Sequence, residues 1–113
     1  MAKYDLTQDS LIADPGNGKA IRVDRSGVVP IVTAGAETRT IGRPKRVGLR
    51  LCLYMKTDGG DCVVTVTGNV NATGNNTITM GDAGDRIILE AIHNGTALIW
   101  QSVLNDGCAL STV

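Results

Sequence analysis

Apolar and polar residues alternate with a period of two across the clearest stretch of the chain, Arg46 to Lys56. Val47, Leu49, Leu51, Leu53 and Met55 point one way; Arg46, Arg50, Cys52, Tyr54 and Lys56 point the other. Successive side chains of a strand leave opposite faces, so this pattern predicts a half-buried β-strand. Shorter runs of the same kind recur at Ala20 to Asp24, Glu37 to Ile41, Cys62 to Thr67 and Asn76 to Met80. Val28 to Val32 is apolar but contains Pro30, which has no N–H for a ladder and so suits an edge strand or a loop. Glycine-rich turn signals separate the runs, at Ser26-Gly27, Gly42, Asp58-Gly59-Gly60-Asp61 and Gly81 to Asp85. Asp85 to His93 also fits a capped helix ending at Gly95, but its isoleucines and the Asn94-Gly95 that follows favour a strand. Short strands with turns about every 8–12 residues predict an all-β fold. The expectation is a single domain over residues 19–113, an antiparallel β-sandwich or jelly-roll-like barrel. Residues 1–18 are polar, lack a sustained period and end in the breakers Asp14-Pro15-Gly16-Asn17-Gly18, which predicts an extended N-terminal arm.

The last third departs from the usual pattern of one greasy face. Asn94-Gly95 and Asp106-Gly107 suit two-residue turns with positive φ. Such turns would place His93 opposite Thr96, Ala91 opposite Leu98, Leu89 opposite Trp100, and Asn105 opposite Cys108. One face of the resulting meander carries Ile87, Leu89, Ala91, Leu98, Trp100, Leu104 and Ala109, a natural inner face. The other carries Ile88, Ile92, Ile99, Val103 and Leu110, with Arg86, Glu90 and Gln101 between them. An outward patch of roughly several hundred Å² is near the limit that monomers tolerate. With no helix to cover it, a second subunit is the remedy, so the five aliphatics are expected at a subunit interface in a closed homo-oligomer.

Composition sharpens the picture. The 113 residues include 14 glycines and one Trp but no Phe, so aliphatic side chains must fill the core. Net charge is zero, which argues against a dedicated nucleic-acid binder. The charges are nonetheless segregated. Arg39, Arg43, Lys45, Arg46, Arg50 and Lys56 come without an acid among them. Asp58, Asp61, Asp82, Asp85, Glu90 and Asp106 follow, with Arg86 the lone base. Either the fold interleaves them, or they form complementary surfaces. No apolar run reaches the ~18 residues of a membrane span, and no secretion signal opens the chain. Cys52, Cys62 and Cys108 lack CxxC spacing and read as free thiols of a protein made in a reducing cytoplasm.

Catalytic chemistry is not legible. His93, the single histidine, lies beside a turn without partners in sequence, and no nucleophile elbow, P-loop or dinucleotide fingerprint occurs. The paired aspartates of Asp58 to Asp61 and Asp82 to Asp85 are too few for a calcium site. The basic run lacks interleaved aromatics that would stack bases. No enzyme activity, cofactor, metal or small-molecule substrate is expected.

The rhythm of residues 46–113 resembles that of small β-rich virion proteins of tailed bacteriophages. It is carried by GLRLCLYMK, CVVTVTG, NTITMGD, GDRIILEAI and TALIWQSVLNDGCALS, with Gly84-Asp85, Trp100 and Asp106-Gly107 at the places where the pattern repeats its marks. Head decoration (cement) proteins are the nearest group, and related β-domains occur in tail fibres. The resemblance implies a non-enzymatic homotrimer on the capsid exterior, assembled in the bacterial host cytoplasm, that binds the major capsid protein and stabilises the shell. Leu11, Ile12, Arg39, Arg43, Lys45 and Arg46 are the expected contacts with that partner, through the arm and the basic segment. The alternative is a receptor- or glycan-binding β-domain, for which only Tyr4, Tyr54 and Trp100 offer stacking aromatics.

Overall fold

The computed structural model describes residues 11–71 and 74–112. They form nine strands: β1 (Lys19–Ile21), β2 (Gly27–Val32), β3 (Glu37–Ile41), β4 (Arg50–Thr57), β5 (Cys62–Val70), β6 (Asn75–Met80), β7 (Arg86–His93), β8 (Leu98–Asp106) and β9 (Ala109–Ser111). The all-β prediction holds, and Asp85 to His93 is a strand. All nine belong to one curled sheet, ordered β1-β3-β5-β8-β7-β4-β2, with β6 and β9 on the free side of β5.

The pairing is mixed and not purely antiparallel. β1 pairs with β3, β3 with β5 and β2 with β4, all parallel. Consecutive strands in this half therefore lie in opposite wings of the curl, and the chain winds between them like a coil. The physical reason lies in two stacked turns. Residues 33–36 lead from β2 to β3, and residues 58–61 lead from β4 to β5. The Thr33 hydroxyl donates to the Gly60 carbonyl at 2.7 Å and accepts from the Gly59 N–H at 3.0 Å. A Cβ at Gly59 would lie 2.3 Å from the Thr33 carbonyl oxygen, and one at Gly60 2.3 Å from the Gly35 carbonyl carbon. Only glycines let the turns approach this closely. Each turn then crosses between the wings, where a hairpin would have folded back. Pro30 sits in an end strand of the path, where its missing N–H does least harm.

Side chains from both wings fill the interior. Ile21, Ile41, Val64 and Ile78 come from one wing, and Val29, Leu51, Leu53, Ile87 and Leu89 from the other. Trp100, fully buried, donates its indole N–H to the Gly42 carbonyl at 2.9 Å. Cys62 is buried, and Cys52 and Cys108 are half-buried; all three thiols are free.

Residues 11–18 are not a detached arm. Leu11 bridges Val28 in parallel, and the Ile12 N–H donates to the Val28 carbonyl at 2.9 Å. The segment then reaches the opposite wing, where the Gly18 N–H donates to the Thr38 carbonyl at 2.8 Å. It is the first half-turn of the coil and closes the mouth of the sheet. Its polar, breaker-rich sequence conceals this role, because side-chain and backbone hydrogen bonds hold it more than a hydrophobic period does. The portion of the expected arm at residues 1–10 lies outside the described residues.

Candidate interaction surface

The two wings present different outer faces. The outer face of β3, β5 and β6 carries Thr38, Thr40, Thr65 and Thr79, suited to water. The outer face of β2, β4, β7 and β8 carries an apolar row that crosses every strand. Leu11 bridges Val28, Val28 pairs with Cys52, Cys52 with Ile88, and Ile88 with Leu104. Leu11 is 51% exposed, Val28 39% and Leu104 38%, while Cys52 and Ile88 are half-buried. Val103 and Tyr54 flank the row and are also exposed.

This surface overlaps the expected interface but is built differently. The turn after β7 holds four residues, Asn94 to Ala97, closed by the Asn94 carboxamide oxygen accepting from the N–H groups of Thr96 and Ala97, both at 2.9 Å. His93 therefore pairs with Leu98 and Ala91 with Trp100, a shift of two residues that preserves the faces. A bulge between Ser102 and Leu104 then reverses them. Val103 becomes the extra residue, and Leu104 turns outward, where strict alternation places it inside. One extra residue flips every later side chain, and alternation alone cannot reveal it.

The remaining expected interface residues separate. Ile88 and Ile92 are half-buried on the outer face, and Val103 is exposed. Ile99, expected outside, is only 4% exposed. Leu110 is not on this face at all: β9 leaves the meander to pair with β6, Leu110 stands opposite Ile78, and it packs against the core. The Asn105 side chain explains the departure. It bonds the Cys108 carbonyl and N–H, each at 3.0 Å, and so satisfies the backbone groups that a β8–β9 ladder would have used.

The residues expected to touch a capsid separate as well. Ile12 is 1% exposed and part of the core, because its neighbour Leu11 takes the outward position of the bridge. Arg39 is fully buried. Its guanidinium donates to both Asp14 carboxylate oxygens at 2.7 and 2.9 Å, to Glu37 at 3.0 Å and to the Val32 carbonyl at 3.1 Å. A buried arginine satisfied in this way joins the two wings and the first half-turn, and is no partner contact. Burial alone would raise the Asp14 carboxyl. Bonds from Arg39 and from the N–H groups of Val32 and Gly16 outweigh that and hold it below its ordinary value. Glu37 is lowered by the Ala34 N–H and, against some desolvation, by Arg39. Arg43 is exposed but pinned, lying over Gly68 and donating to the Leu98 carbonyl at 3.1 Å. Lys45 and Arg46 are exposed, beside Val47 at 62% exposure.

Folding interleaves the segregated charges only in part: Arg39 is drawn to Asp14 and Glu37, and Arg50 to Glu90. The start of β4 places Arg43, Lys45, Arg46 and Arg50 at one end of the sheet, next to Arg22, with Asp24 and Glu90 as counter-charges. The other end gathers the turns bearing Asp58, Asp61, Asp82, Asp85 and Asp106, against Lys19, Lys56 and Arg86. The polarity follows from topology: the links at either end of the antiparallel β4–β7–β8 set carry opposite signs.

His93 accepts from the Gly95 N–H through Nδ1 and is exposed, a turn role. Among the described residues no group of histidines, cysteines or acids has a metal-binding arrangement, and no pocket is present. No model of a known protein family matches the chain, nor does any curated protein.

Proposed function

We propose that this chain is a capsid decoration protein of a tailed bacteriophage, which binds the outer shell as a homo-oligomer and stabilises it without catalysis. One observation carries the reading: an exposed apolar row and a basic end occur together on a small β-domain. An apolar face of this kind favours burial against protein, and a basic end favours an acidic surface. The basic contact is narrower than the six residues named above. Lys45 and Arg46, with Val47 exposed beside them, form it; Ile12 and Arg39 hold the fold. The resemblance to decoration proteins implies three copies around a local threefold position; a two-fold pair through the apolar face is the competing arrangement, and the oligomeric state in solution decides between them.

The test is cosedimentation with empty capsids of the phage that encodes the chain. The expected result is saturable binding that weakens as salt rises, and that falls about tenfold or more in Lys45→Glu/Arg46→Glu, since opposite charges steer and hold such contacts. Absence of binding at every ionic strength, together with retention on a glycan array, would transfer the chain to the receptor-binding alternative.

A further inference from the structure

We infer that the apolar face of β2, β4, β7 and β8 is covered by a second copy of this chain, packed face to face about a two-fold axis that runs along the apolar row. Among the described residues, Leu11, Val28, Val32, Tyr54, Val103 and Leu104 are the exposed large hydrophobics on or beside this face, and Val47 alone lies at the basic end. An apolar patch that occurs once on a molecule finds its match in the same patch of another copy. That makes an isologous contact, and isologous contacts have two-fold symmetry.

The polar rows beside the patch select the orientation. On one side lie Tyr54, Arg86 and Asp106, paired across β4, β7 and β8; on the other lie Arg50, Glu90 and Gln101. A two-fold axis along the apolar row turns one polar row over the other. Arg86 then meets Glu90 of the second copy, and Tyr54 meets its Arg50, a cation over a ring face. The same rotation sets the basic end of each copy beside the acidic end of the other. An axis parallel to the strands would also bury the patch, but it would set basic end beside basic end. Charge complementarity therefore favours the antiparallel arrangement. A standard interface covers about 800 Å² on each partner. The apolar row crosses four strands and its polar borders three, so the contact is the centre of such an interface, with the charged ends at its rim.

Sedimentation equilibrium and native mass measurement of the full chain test this. The wild type is expected to be a dimer at tens of micromolar. Leu104→Asp, at a 38% exposed position that can change without disturbing the core, is expected to raise the dissociation constant tenfold or more with an unchanged circular dichroism spectrum. Thr65→Asp, on the exposed outer face of the other wing, is expected to leave the dimer intact. Arg86→Glu is expected to weaken pairing, and Arg86→Glu/Glu90→Arg to recover it by restoring opposite charges across the contact. A monomeric wild type, or a dimer indifferent to Leu104→Asp, would overturn the proposal. Indifference to Arg86→Glu would overturn the antiparallel orientation. A trimer that still pellets with capsids would remove the two-fold pairing and leave the decoration reading standing; a dimer that never pellets would do the reverse.

Discussion

At the scale of single residues, neighbours decide roles that residue type leaves open. Cys52 and Cys108 are both half-buried thiols, yet their surroundings differ. Burial raises Cys52, and Arg86 nearby works against the rise. Burial raises Cys108 too, and Asp85 and Asp106 add to it, pushing it up to about 12. The thiolate is the nucleophile, so Cys108 should hold roughly a thousandfold less of it at pH 8 than an ordinary cysteine. At protein concentrations too low for pairing, where this face is open, iodoacetamide followed by peptide mass mapping is expected to label Cys52 well before Cys108; comparable rates would contradict this environment. Arg39 teaches the same lesson. In the sequence it heads a basic run and reads as surface, but the carboxylates that bury it come from Asp14 and Glu37. Asp14 lies 25 residues away. No local pattern announces such a pair. Trp100 was legible, because a lone indole in an aliphatic chain has one good place to go.

At the scale of elements, the strands could be read but most of their partners could not; β7 with β8 was the exception, announced by Asn94-Gly95. Period-two alternation marked β4 and β5, because each buries one face, and it marked β6, although Thr77 and Ile78 are both buried there; β7, apolar on both faces, was marked by its isoleucines and Asn94-Gly95. Pairing depends instead on what links the strands. Asp58 to Asp61 reads as a plain turn in sequence, yet it stacks on the turn at 33–36, and both send the chain across the curl. Gly60 is the pivot, since a Cβ there would collide with backbone at Gly35, whereas one at Gly35 would meet nothing within 4 Å. Gly60→Ala is expected to destabilise the protein by about 1–3 kcal/mol through forced backbone movement. Gly35→Ala should be close to neutral. Urea unfolding of the two variants would separate a stacked pair of turns from two independent hairpins, for which the substitutions would cost alike. The bulge in β8 was equally hidden, and it alone moves Leu104 onto the surface where the apolar row ends.

At the scale of the molecule, the curl stays shut through polar contacts at its mouth. Arg39, Asp14 and the Val32 carbonyl tie the first half-turn to both wings. Asp14 and Glu37 both ionise more readily in the folded chain than their ordinary values imply. A carboxylate lowered on folding adds stability that is complete above its unfolded pKa and lost as pH falls through the folded one. Stability should therefore be flat at neutral pH and decline below about pH 4. Asp14→Asn leaves Arg39 buried with one carboxylate fewer and should cost about 3 kcal/mol at pH 7. Chemical unfolding measured from pH 7 to pH 3 checks both statements: the variant should start lower and lose less on acidification. Much of this architecture has a price in time. Among the described residues of the first half, no strand pairs with the next one: β1 waits for β3, β2 for β4, and β3 for β5. β4 finds its second neighbour only when β7 exists. A chain emerging from a ribosome thus meets no hairpin among these strands, and each must wait unpaired until the strand after next has been made. Ladders between distant strands close long loops before they gain contacts, which places folding in the slow, millisecond-to-second range of small domains. The coil that gives this protein two such different faces also postpones its first hairpin to β5 and β6.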